Sequence, residues 1–224
     1  MKVLFDYSIF TDQKLGGISR YFLNLDKEIN KTSNESNILA PLHYNLFLKD
    51  YGNYKGRYVK KFPKFTSQFF KFYNDIKTKK FIQNFEPDIY HKTYYNHSWP
   101  ENFKGKKILT VYDLIHEIFF QEFGYKHDYR PKKKSLLGAD AIITISKNTK
   151  SDLMNYYNIP SSKIFVTHLG VNLESIKFSS NIIKDPYILY VGDRKRYKNF
   201  ITLLKAYCIS KKINQNFKLV LFGG

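Results

Sequence analysis

The stretch "YVGDRKRYKNF" at residues 190–200 carries Arg194, Lys195, Arg196 and Lys198 directly behind the apolar run "YILYV". Cations packed this closely repel one another unless an anion lies among them. The planar guanidinium of Arg194 suits phosphate oxygens. Lys198 supplies a point charge where a helix is expected to begin, so free backbone amides and the helix dipole add to the same field. A solvated basic turn would have the same composition, but placement at a strand end favours an anion site. "TVYDLIHE" ends another apolar run with Tyr112, Asp113, His116 and Glu117. There Asp113 could orient a hydroxyl and His116 could move a proton near neutral pH, although loop and cap roles are the ordinary use of such residues. Asp113 and His116 lack a clear third ligand for a metal. "HKTYYNH" raises the same question for His91 and Thr93, while in "KLGGISRY" the paired Gly16 and Gly17 would let backbone approach a ligand closely. This loop has neither the G-x-G-x-x-G spacing of a dinucleotide site nor the end of a P-loop, which disfavours a nicotinamide cofactor.

The elements that must position these residues alternate along the chain. "KVLFDY", "NILAPLHY", "DIYHKT", "KILTVYD", "DAIITIS" and "KIFVTHL" read as strands. "GISRYFLNLDKEI" places Ile18, Tyr21, Phe22 and Leu25 at helical spacing, and further helices are expected after Pro63, over about 128–138 and over about 148–157, the last capped by Ser146. Such alternation predicts an α/β fold with a parallel sheet covered on both faces, whose ligands gather at the carboxyl ends of the strands. After a polar segment at 171–186 the pattern restarts as strand, helix, strand: "YILYVG", about 199–209, and "FKLVLFGG". The expected division is therefore 1–170, a linker at 171–186, and a second unit at 187–224.

The chain has 224 residues, 43% of them hydrophobic, enough for a buried core. Lys and Arg number 37 against 19 acidic residues, a net charge of +18 that draws anionic partners. Part of that excess matches the Lys, Asn, Ile, Phe and Tyr richness of chains from AT-rich genomes. Cys208 is the single cysteine, which rules out an internal disulfide and a Cys-rich metal site and suits a reducing cytoplasm. Asp6 interrupts the first apolar run as a signal peptide would not, and no run approaches the ~20 apolar residues of a membrane span.

Read in order, "GGISRY", "HKTYYN", "TVYDLIHE", "ADAIITISKNTKSDL", "KIFVTHLGVN" and "YVGDRKRYKNF" resemble the family 4 retaining glycosyltransferases over essentially the whole chain. "ISKNTKSDL" and "YVGDRKRYKNF" are the most specific pieces. The resemblance implies the GT-B architecture: a Rossmann-like amino-terminal domain on the acceptor side, then the first β-α-β unit of a second Rossmann-like, nucleotide-sugar-binding domain. It implies a UDP- or GDP-linked sugar donor, a glycan or lipid-linked acceptor, retention of the anomeric configuration, and no metal or other cofactor. Gly16, Gly17, Arg194 and Lys198 would hold the donor diphosphate, Tyr112 and Asp113 would be catalytic, and His91, Thr93, His116 and Ser146 would line the acceptor side or cleft. Tyr112 stands where the family usually has His, so a phenol replaces an imidazole. The family's paired glutamates, E-x(7)-E, do not occur before Gly224, so this chain by itself is expected to be inactive, a fragment of a transferase or, alternatively, a non-catalytic truncated remnant that keeps an acceptor-binding domain. The implied setting is surface polysaccharide or lipopolysaccharide synthesis, in the cytoplasm or at the inner face of the plasma membrane.

Residues 50–85 are basic and aromatic. Lys60, Lys61, Lys64 and Lys71, with Lys77, Lys79 and Lys80, could face an anionic membrane, with Phe69, Phe70 and Phe72 partly inserted; alternatively the aromatics are core and the lysines solvated. A nucleic-acid-binding protein is the competing reading of charge and aromatics, but no recognition-helix, zinc or RNP-type pattern is present and the charge is spread along the chain, so no nucleic-acid partner is expected.

Overall fold

In β1 (Lys2–Phe5), Val3 and Phe5 face one side and Leu4 the other, and all three are buried, as a strand covered on both faces requires. The structure, a computed structural model, describes residues 1–63, 65–95, 98–123, 130–170, 183–194 and 196–223. These form two compact units, Met1–Leu114 with Asp128–Leu169, and Ile115–His127 with Gly170–Gly224.

In the first unit β1 is joined by β2 (Glu35–His43), β3 (Lys55–Tyr58), β4 (Ile89–Lys92), β5 (Lys106–Val111), β6 (Ala141–Thr144) and β7 (Ile164–Val166). The seven strands lie in the order β3-β2-β1-β4-β5-β6-β7, every pairing parallel. The helices are α1 (Gly17–Ile29), α2 (Leu46–Tyr51), α3 (Ser67–Phe85), α4 (Arg130–Leu137) and α5 (Lys147–Tyr157). Phe22 and Leu23 of α1 pack with Val3, Phe5, Ile38 and Ala40 on one face. On the other face Phe81, Ile82 and Phe85 of α3 cover Leu4, Leu39 and Tyr90.

The strands and helices expected from apolar periodicity are present, and α/β architecture with a parallel sheet is what the chain forms. Two elements of this unit carry no such signal. β3, "KGRY", is an edge strand with little to bury, and α2 is a single short helix held by Asn45, whose side chain accepts from Leu48 N at 2.9 Å.

α3 inverts the usual polarity of a surface helix. Its only buried residues are Asn74 and Thr78, while Phe69, Phe72 and Ile76 are 66%, 64% and 49% exposed. Pro41 explains the inward polarity: it has no N–H, and the pairing of β2 with β3 slips between Ala40 and Leu42. Asn74 fills that gap, accepting from Leu42 N at 2.9 Å and donating to Leu42 O at 3.0 Å.

The second unit holds short helical turns at Ile115–Ile118 and Phe120–Phe123, then β8 (Tyr187–Val191), α6 (Phe200–Ile209), α7 (Lys211–Asn216) and β9 (Lys218–Phe222). β8 and β9 pair in parallel, and Phe200 packs on Tyr190 at 4.9 Å between ring centres. Leu189, Val191, Leu221 and Phe222 remain 39–70% exposed, although parallel strands are ordinarily covered on both faces. Most of the expected linker, 171–182, lies outside the described residues.

Candidate functional site

From β1 the chain moves outward to β2 and β3, then returns to lay β4 on the other side of β1. The crevice of such a sheet opens where the order reverses, beyond the carboxyl ends of β1 and β4. Directly beneath it lies a buried polar cluster. Asp6, 1% exposed, accepts from Thr93 N and Thr93 Oγ1, each at 2.7 Å, and from the Ser8 hydroxyl at 2.5 Å. Thr93 Oγ1 in turn accepts from Ile9 N at 3.0 Å, so the backbone leaving β1 is stitched to the backbone leaving β4. Burial raises the Asp6 carboxyl above the usual range against the opposing pull of Lys92. The Lys92 ammonium, fully buried, donates to Ser135 Oγ at 2.7 Å and lies 5.0 Å over the Trp99 ring; burial lowers its pKa to about 8.

His91 and Thr93 were expected to line the cleft, and the structure places them below it. His91 is 4% exposed, shares a hydrogen bond with Thr110 Oγ1 at 2.8 Å and packs on Phe5 and Phe22, and desolvation lowers its pKa to about 3. It is a neutral core imidazole. Thr93 is wholly buried and its hydroxyl is taken up by Asp6 and Ile9. The sequence reading passed over Asp6 and Lys92. Their signal was there: a lone charged residue at the end of each of two buried strands must be paired or matched by hydrogen bonds.

At the rim, Gly16 precedes α1 in extended conformation and Gly17 opens it; a Cβ at Gly17 would meet nothing within 4 Å, so this helix start faces open space. One turn on, Tyr21 meets Tyr112 edge to face at 5.9 Å. The Tyr112 hydroxyl at the end of β5 and Gln13 Oε1 in the loop before Gly16 are buried without a hydrogen-bond partner among the described residues. Burial pushes the Tyr112 phenol far above its ordinary pKa, so it stays protonated and can donate. Asp113 is exposed, and its carbonyl accepts from Lys132 Nζ at 2.9 Å. Ser146 caps α5, accepting from Thr149 N at 3.0 Å, and Thr149 Oγ1 donates to Tyr112 O at 3.1 Å. Ser146 is thus spent on its helix and holds Tyr112 through Thr149.

Gly17, Tyr112, Asp113 and Ser146 therefore share the carboxyl side of the first sheet, while His116 falls in the helical turn Ile115–Ile118 of the second unit. In that unit the carboxyl ends of β8 and β9 bring Gly192 and Gly223 together at φ +134° and +95°; a Cβ on Gly223 would come 3.1 Å from Gly192 O. Arg194 donates to Gly223 O at 2.9 Å, its guanidinium 5.8 Å from the Phe200 ring centre, and Lys198 is exposed in the 3-10 turn before α6. Lys60, Lys61 and Lys71 are exposed, and Lys64 lies outside the described residues. Among the described residues no three His, Cys, Asp or Glu gather as metal ligands, and no helix is long and apolar enough to cross a membrane.

Parallel Rossmann-like strands with a reversal at β1 and β4, and a restart beyond residue 170, define a GT-B-type chain. The chain is similar in fold to the lipopolysaccharide outer core galactosyltransferase WaaB in its apo form, with a TM-score of 0.58 and 15% identity, 99% of this chain and 68% of that one being covered. The sucrose-phosphate synthase of Thermosynechococcus elongatus gives 0.63 and 12%, with 99% and 70% covered. A protein of Campylobacter jejuni named N-acetylgalactosamine-N,N'-diacetylbacillosaminyl-diphospho-undecaprenol 4-alpha-N-acetylgalactosaminyltransferase is 33% identical over 88 residues, 38% of this chain and 23% of that protein. Residues 15–175 match Glycosyltransferase Family 4, and the chain belongs to that family.

Proposed function

We propose that the chain serves transfer of a sugar from a UDP- or GDP-linked donor to a hydroxyl of a glycan or lipid-linked acceptor, with retention and without a metal. The observation that carries the reading is the open start of α1, with the unmatched Gln13 Oε1 beside Gly16 and Tyr112, its hydroxyl also unmatched, packed on Tyr21 one turn further on. Each such atom costs about 1–3 kcal/mol unless a partner arrives. Both atoms are closed to solvent, so a sugar hydroxyl donating to Gln13, or a donor oxygen accepting from Tyr112, requires a small side-chain movement on binding. The Campylobacter relative, named for a diphospho-undecaprenol-linked acceptor, supports the acceptor class.

As the glycosidic bond breaks, negative charge grows on the departing diphosphate, and fixed cations stabilise that charge more than the ground state. Arg194 is aimed across the strand ends by its bond to Gly223 and supplies such a cation, with Lys198 as the second. Asp113, exposed just beyond the end of β5, would orient the sugar hydroxyls. Calorimetric titration with UDP- and GDP-sugars tests the assignment. Lys198→Ala and Arg194→Lys should each weaken donor binding about 10-fold or more, the loss of one charge-assisted contact. Unchanged affinity in both variants would remove the assigned roles.

The same reading includes an anionic membrane at the inner face of the plasma membrane. Phe69, Phe72 and Ile76 follow one another on α3 at intervals of three and four and are all exposed, and Phe65, just before the helix with φ +66°, is fully exposed. Phe69, Phe72 and Ile76 form one apolar stripe along α3 among Lys71, Lys79 and Lys80, the pattern of a helix lying in a headgroup layer. Phe69→Ser with Phe72→Ser should lower vesicle binding about tenfold, as expected for two partly inserted rings. Equal pelleting of the unaltered chain with anionic and neutral vesicles would contradict the membrane assignment.

A further inference from the structure

Beside the apolar stripe, between α3 and the edge strand β3, lies a cavity of about 420 Å³. Lys55 and Arg57 of β3 and Lys77 and Lys80 of α3 line it, over a floor that includes Leu39 and Phe81. No carboxylate lines it, and none of the four cations forms a salt bridge among the described residues. Lys55 and Arg57 are two apart on a strand and so point the same way, while Lys77 and Lys80 are one helical turn apart. Lys77 is further placed over the Tyr73 ring, 5.4 Å from its centre. Four cations held around an apolar floor repel one another, and a compact anion of charge two would relieve more of that repulsion than a single charge.

We infer that this groove is a binding site for the phosphomonoester headgroup of an anionic lipid, distinct from the crevice beyond β1 and β4. The inference rests on the membrane reading above and deepens it. The stripe Phe69, Phe72 and Ile76 would set α3 at the depth of the headgroups, and Lys80, on the same flank of the helix, carries the charged surface from the stripe into the groove. The apolar floor accepts the glycerol carbons, and the guanidinium of Arg57 can grip two phosphate oxygens at once.

The test uses phosphatidylcholine vesicles carrying either phosphatidic acid or phosphatidylglycerol, adjusted to equal zeta potential so that unspecific attraction is the same. The full chain should bind the phosphatidic acid vesicles about tenfold more tightly, the worth of about one charge-assisted contact. Lys55→Gln with Arg57→Gln, which leaves α3 untouched, should bring that ratio to one. Phe69→Ser with Phe72→Ser should weaken binding to both vesicles and keep the ratio. A ratio of one in the unaltered chain, or a ratio that survives Lys55→Gln with Arg57→Gln, overturns the site while leaving the membrane reading standing. Failure to bind either vesicle overturns both. Glycerol 3-phosphate, titrated without vesicles, should bind far more weakly than the phosphatidic acid surface; equal affinity would assign the groove to a soluble phosphate ester and overturn the lipid assignment.

Discussion

Replacing Asp6 by alanine should lower stability by about 3–5 kcal/mol, read as a fall in the urea midpoint by circular dichroism. The change leaves four donors, the amide and hydroxyl of Ser8 and the amide and hydroxyl of Thr93, without their carboxylate acceptor in a dry interior. It also removes the negative charge that opposes the buried Lys92 ammonium. Removing one member of a buried charged group costs far more than the intact group contributes, because the remaining charge stays desolvated. Asp6→Asn keeps one acceptor oxygen, enough for the amide and hydroxyl of Thr93, and should cost less, about 1–3 kcal/mol. The consequence reaches the site, because the segment from Asp6 to Gly16 delivers Gln13 and the start of α1. An unchanged midpoint in Asp6→Ala would mean that the strand ends are held together by packing alone.

Acidification should destabilise the chain well above the range in which surface carboxylates titrate. Burial lowers His91 to about 3 and His43 to about 4 in the folded chain. Both take up a proton near 6.5 once unfolded, so between those values the unfolded state binds more protons and stability falls as the pH falls. By pH 4.5 each histidine contributes roughly 2–3 kcal/mol of that loss, less if water reaches the ring. Asp6 and Asp26 act the other way: their carboxyls are raised by burial, so protonation through those raised values favours the folded state and offsets part of the loss. The net expectation is a fall in thermal midpoint from pH 7 to pH 4.5, with His91→Phe removing about half of the slope. A flat profile, or the same slope in His91→Phe, would show that His91 is protonated in place.

The parallel sheet was legible because its central strands are apolar on both faces and its helices repeat at 3.6 residues. β3 was not, because "KGRY" is an edge strand with little to bury. α7 was missed because "KKINQN" has no apolar face and buries nothing. The positions of Gly17, Tyr112 and Asp113 at the helix start and strand end were legible in the sequence; their roles toward a sugar donor belong to the proposed function. His91 and Thr93 were misplaced for a physical reason: nothing in one strand's residues says whether its last polar side chain points into a crevice or across to a neighbour. Asp6 supplies that neighbour from 87 residues away in the chain. The apolar repeats of α3 gave the helix but not its orientation, which is set by Asn74 reaching the bulge at Pro41.

The claim on which sugar transfer rests is that the carboxyl strand ends of the second unit, and the open start of α1 in the first, each respond to a nucleotide sugar. Following the backbone amides of the isotopically labelled chain by NMR during titration with a UDP- or GDP-sugar tests it most directly. A donor site at these ends should give saturable shifts at Gly192, Lys198 and Gly223, and at Gly17 where α1 opens. Shifts confined to the groove of Lys55 and Lys77, or no saturable shift at those four amides, would contradict it.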